Sequence, residues 1–132
     1  MDNDLHKKIV RLSDIHGLYS VNAYYFILDA LRVSSKKIQK KNPSHSRHLS
    51  GKELSIGIKN YAINRFGCMS YTVMTLWGLN GTADFGAIVY HLIDTGLLGK
   101  SGDDSIDDFK EIFDFDDAFL KPFEAGTVNS EQ

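Results

Sequence analysis

Arg47, His48, Ser50 and Glu53 are the residues whose types and spacing come nearest to a chemical site in this chain. Ser50-Gly51-Lys52-Glu53 has the spacing of a capping box, in which the hydroxyl and the carboxylate each take one orphan backbone amide at a helix start. A guanidinium and an imidazole beside free helix amides also suit an anion. The four therefore form a candidate anion or partner site, or the centre of a small enzymatic one. His45 and His48 have the spacing to share a metal. The nearby sequence offers no cysteine or further histidine to complete the ligand set, so no metal is expected.

Other motifs fail on their own terms. Gly99-Lys100-Ser101 looks like the end of a phosphate-binding loop, but Asp94 stands where that motif needs glycine, and a helix precedes it instead of a strand. Lys100 is read as a lysine complementing a helix C-terminus. A calcium loop begun at Asp103 would put Asp108 at the obligatory glycine and Lys110 at a ligand position. Cys68 lies near a helix start with no basic neighbour in the sequence to activate it, and reads as a buried structural thiol. No catalytic residue and no cofactor are assigned.

Charge is strongly polarised. Residues 1–65 hold twelve Lys/Arg against five Asp/Glu, a balance of +7; residues 66–132 hold three against twelve, a balance of −9; together they give the net −2. Lys36, Lys37, Lys40, Lys41, Lys52 and Lys59 make a candidate basic patch. The acidic residues concentrate between Asp103 and Asp117. Such asymmetry marks a binding surface for a partner of opposite charge, or two ends that pack on one another, or plain solvated faces.

These groups must be carried by helices. Leu5, Ile9 and Leu12 give a helical stripe over Asp4–Ile15 that stops at Gly17. Ser20 caps a second helix with Tyr24, Leu28, Leu31 and Ile38 inward, ended by Asn42-Pro43. A loop without periodicity follows to Leu49. Leu54, Ile58, Tyr61, Ala62 and Phe66 mark a third helix, 51–66. A short fourth, Met69–Trp77, is expected to bury Val73, Leu76 and Trp77. Thr82 is expected to cap a fifth, with Phe85, Ile88, Val89, Leu92 and Ile93 inward, ending at Gly96. Beyond it, Ile106, Phe109 and Phe113 fit a sixth helix, while Leu97–Lys100 with Glu111–Phe115 fits a small β-hairpin instead. A final turn, Asp116–Leu120, precedes Pro122.

The expected fold is mainly α: a compact bundle of five or six helices with a helix-turn-helix-like three-helix core over 51–95 and a small β-hairpin near 97–115. At 132 residues the chain has the length of one domain, placed at 1–123 with a flexible tail at 124–132. The longest apolar run, Ala23 to Leu28, is far below the ~20 residues of a membrane span, and the polar N-terminus does not resemble a secretory signal. The lone cysteine favours a reducing, cytoplasmic setting. The outward face expected for the fifth helix (Asp84, Gly86, Ala87, Tyr90, His91 and Asp94) carries no lysine or arginine, which argues against groove reading by that helix.

Several stretches carry a resemblance across nearly the whole chain: Ala23-Tyr24-Tyr25-Phe26, Arg47-His48-Leu49-Ser50-Gly51-Lys52-Glu53-Leu54, Phe66-Gly67, Trp77-Gly78, Thr82-Ala83-Asp84-Phe85-Gly86-Ala87-Ile88-Val89, Gly96-Leu97-Leu98-Gly99-Lys100, and Phe113-Asp114-Phe115. By these the chain resembles a family of short bacterial proteins with no assigned function. The resemblance implies no activity, cofactor or catalytic residue. It directs attention to Arg47, His48, Ser50 and Glu53. Three functional expectations follow: a non-catalytic binding or adaptor domain, with a protein partner or a homodimer; a nucleic-acid-binding protein using residues 32–65; and an anion or enzymatic site at the Arg47 cluster. No membrane partner is expected.

Overall fold

The structure, a computed structural model, describes residues 3–41, 49–99 and 105–124, with side chains of 38–41 left outside the description. Five α-helices carry the described chain: α1 (Asn3–His16), α2 (Val21–Lys41), α3 (Gly51–Phe66), α4 (Ser70–Leu76) and α5 (Thr82–Asp94). The expected breaks at Gly17, Gly67, Gly78 and Gly96 all have positive φ. Gly78 shows why glycine is needed: its φ is 97°, and a Cβ there would lie 2.3 Å from the Leu18 carbonyl oxygen.

α2 is the axis of the molecule. Ala23, Tyr24, Phe26, Ile27, Leu28, Ala30 and Leu31 are buried around most of its circumference, as expected of a helix apolar beyond one stripe. α3 lies antiparallel beside it: Ser34 faces Gly57 at one end, and Phe26 packs on Tyr61 and Phe66 at the other. A Cβ at Gly57 would stand 2.2 Å from Ser34 Oγ, so the missing side chain is what lets the helices approach. Ile9 and Leu12 of α1, Met74 of α4, and Phe85, Ile88 and Leu92 of α5 complete one apolar cluster with α2.

Residues 105–124 form a strap over α5 and the start of α3. It is neither the sixth helix nor the hairpin that the sequence suggested, and no strand occurs among the described residues. The amides a hairpin would need are used elsewhere: Leu97 N–H and Leu98 N–H donate to the Leu92 carbonyl, and Ile112 N–H donates to Thr82 Oγ1. Glu111 takes a φ of 50°, which reverses the chain between Phe109 and Phe113. Instead there is a 3-10 turn at Ile106–Phe109, a π-helical turn at Asp116–Leu120 (the expected final turn) and a 3-10 turn at Lys121–Phe123. Phe109, Phe115 and Phe119 are buried. The Phe109 ring lies on Gly86, where a Cβ would be 2.8 Å from Phe109 Cβ, and the Asp108 carbonyl lies on Gly51.

Three further expectations need correction. α4 is rotated: Ser70 and Met74 face inward, while Leu76 is 79% exposed and Val73 only half-buried. Ser70 Oγ donates to the Ala62 and Gly67 carbonyls, which fixes the register of this two-turn helix from its N-terminus. Thr82 does not cap α5, because Asp84 accepts from Asn80 N–H and Gly81 N–H in that role. Cys68 is exposed on the 3-10 turn Gly67–Met69 rather than buried. Lys100 and its expected contact with a helix end lie outside the described residues.

Candidate functional site

Ser50 and Glu53 are brought together as the capping box of α3. Glu53 N–H donates to Ser50 Oγ at 3.1 Å, and Ser50 N–H donates to Glu53 Oε1 at 2.9 Å. The Glu53 amide of the first turn is therefore taken by the Ser50 hydroxyl, and the Glu53 carboxylate already complements the helix dipole. Arg47 and His48, the other half of this candidate site, lie outside the described residues. Ser50→Ala should cost about 1 kcal/mol of stability, the ordinary value of a lost cap, measurable by chemical denaturation. A cost near zero would mean that α3 does not depend on this cap.

Of the basic patch, Lys36, Lys37 and Lys52 are exposed. The antiparallel pairing of α2 and α3 brings the three to the same end of the molecule. No carboxylate among the described residues lies within ion-pair distance of them. Lys59 is half-buried, with its Nζ 5.8 Å from the centroid of the Phe113 ring, and joins the strap contact instead of the open surface. The side chains of Lys40 and Lys41 are outside the description.

The first turn of the strap, with Asp107 and Asp108, lies against Gly51 at that same end, and the carboxylates of Asp107, Asp108, Asp114 and Asp117 bond within the strap. Asp108 accepts from Ser105 N–H, and Asp114 accepts from Asp116 N–H and Asp117 N–H. Asp107 pairs with Lys110 and Asp117 with Lys121, both in solvent, where such pairs contribute little stability. Among the described residues no ion pair joins the strap to α3 or α5; its buried phenylalanines and the Thr82 hydroxyl make the contacts there.

A second constellation was not found from the sequence. The imidazoles of His16, at the end of α1, and His91, on α5, stack with centroids 3.5 Å apart and planes 3° from parallel. Tyr24 Oη lies 2.8 Å from His91 Nδ1, and the Tyr19 ring is 6.2 Å away. Tyr19 donates its hydroxyl proton to Asp84, the carboxylate that also caps α5. Burial pushes the Tyr24 phenol up to about 12, and burial together with Asp84 raises Tyr19 further. Burial, reinforced by His16 and opposed by Asp94, moves His91 below the usual imidazole value. The one hint in the sequence was Tyr24: a phenol on an inward stripe needs a partner for its hydroxyl. His16 and His91 are too far apart in the chain for spacing to connect them.

A shallow groove along α1 is lined by His6, Lys7, Val10, Arg11 and Asp14. All come from one helix, so no groups converge there from different elements. Among the described residues no group of three or more His, Cys, Asp or Glu could hold a metal ion, and no helix is long and apolar enough to cross a membrane. Comparison with family models, with curated proteins and with solved structures returns no match.

Proposed function

We propose that this chain is a small non-catalytic binding or adaptor module that engages a partner protein through its charge-polarised end. One observation carries the reading: Lys36, Lys37 and Lys52 are exposed and unpaired among the described residues, at the end where the first turn of the strap sits with Asp107 and Asp108 bonded within it. A surface with both signs side by side complements another mixed-sign surface, such as a protein or a second copy of this chain. A nucleic-acid backbone carries one sign only. It would gain from the lysines and be opposed by Asp107, Asp108 and Glu111. Gly86, expected on the outward face of the fifth helix, lies under Phe109, so the strap covers part of the face that groove reading by α5 would use. The resemblance to short bacterial proteins and a cytoplasmic setting belong to the same proposal.

The test is the triple charge reversal Lys36→Glu, Lys37→Glu, Lys52→Glu, with retention of fold checked by circular dichroism. Cross-linking in cells followed by mass spectrometry should identify a partner with wild type that is lost with the variant. Sedimentation velocity in low and high salt reads the homodimer alternative. A labelled 20-base-pair duplex serves as the competing probe. Tight duplex binding that falls steeply with salt and disappears in the variant would replace this reading with nucleic-acid recognition. A partner set unchanged by the three reversals would remove the charged end from the argument.

A further inference from the structure

We propose that the His16–His91 stack is a pH-sensitive latch, which holds the end of α1 and the 17–20 linker against α5 while the His91 ring is neutral. The geometry carries the inference. The rings lie face to face at 3.5 Å, a favourable contact for uncharged imidazoles and a repulsive one for two imidazolium cations. Each ring sits on a different helix, so the repulsion acts directly on the α1–α5 junction.

The groups facing the pair come from every element around it. Tyr24 of α2 bonds His91, Tyr19 of the linker lies beside it and bonds Asp84, and Asp94 follows His91 on α5. Both phenols keep their protons through the neutral and mildly acidic range, while histidine is the side chain that ordinarily changes charge there. The folded state disfavours protonated His91, so the unlatched chain binds more protons. The latch is therefore at full strength above about pH 6.5 and weakens as pH falls below that value toward the lowered folded-state one.

The linker is anchored at its far side by buried Tyr19, bonded to Asp84, and three further hydrogen bonds hold it. Gly17 N–H donates to the Ser13 carbonyl, Ser13 Oγ donates to the Tyr19 carbonyl, and Ser20 N–H donates to the Trp77 carbonyl. Ile15 is 67% exposed and Leu18 63%, so the segment that would move presents apolar side chains to solvent.

Amide hydrogen exchange by NMR tests the latch, with Gly17 and Ser20 as reporters and rates corrected for the intrinsic pH dependence. Exchange at these amides should rise several-fold between pH 7.5 and 5.5, while α3 amides stay level. His16→Gln, a change at an exposed residue, should flatten that dependence, and His91→Gln should do the same from the other side. The ring signals of His91 should titrate below the ordinary imidazole value. A flat profile in wild type, an undiminished one in His16→Gln, or a rise shared equally by α3 would each overturn the proposal.

Discussion

Phe119→Ala is expected to destabilise the protein by about 3–5 kcal/mol, the range for deleting a buried phenyl ring. Phe119 is fully buried although it sits in a short turn close to the end of the described chain. Its ring meets Phe115 edge-on at 5.0 Å and Phe113 at 6.0 Å. Those two rings in turn pack on Phe85 of α5 at 5.6 and 6.2 Å. Removing Phe119 opens a cavity and also weakens aromatic pairs worth about 0.5–1.5 kcal/mol each beyond their buried area. Small domains have a total stability of about 5–15 kcal/mol, so one substitution should remove a large share of it. Chemical denaturation reads the effect, with the neighbouring, more exposed Leu120→Ala as control. An unchanged midpoint in Phe119→Ala would show that the strap is an appendage and not part of the cooperative core.

That strap is also where the sequence was least legible. Helix ends at Gly17, Gly67, Gly78 and Gly96, and the Ser50–Glu53 box, are decided within a few residues, and local chemistry was enough to place them. Phe109, Phe113, Phe115 and Phe119 are separated by four, two and four positions, which fits neither the helical nor the strand period. Their aspartates look like a solvated acidic run. In the fold, Asp108 and Asp114 build the turns by accepting backbone amides, and this lets an aperiodic set of rings all point inward. α4 misled for a similar reason. A seven-residue helix has too short a stripe to set its own rotation, and Ser70, bonded to the Ala62 and Gly67 carbonyls, set it instead. The imidazole pair depends on how α1 docks on α5, a contact that no local pattern encodes.

The second large effect is expected at Thr82→Val, which keeps the shape of the side chain and removes only its hydroxyl. Thr82 is 2% exposed. Its hydroxyl donates to the Phe109 carbonyl at 2.6 Å and accepts from Ile112 N–H at 3.1 Å. It thus stands in for the ladder partner that the strap lacks, and ties residues 109–112 to the first turn of α5. Valine leaves both backbone groups without this partner. A buried polar group so abandoned costs about 1–3 kcal/mol, giving about 2–6 kcal/mol for the two. Thr82→Ser keeps the hydroxyl and loses one methyl group, and should cost only about 0.5–1.5 kcal/mol. Denaturant unfolding of the pair, with hydrogen exchange at the Ile112 amide, separates the contributions. If valine and serine cost the same and Ile112 remains protected in both, the strap is held by its phenylalanines alone. If valine is the costlier and Ile112 loses protection, a single threonine hydroxyl fixes where the strap meets α5.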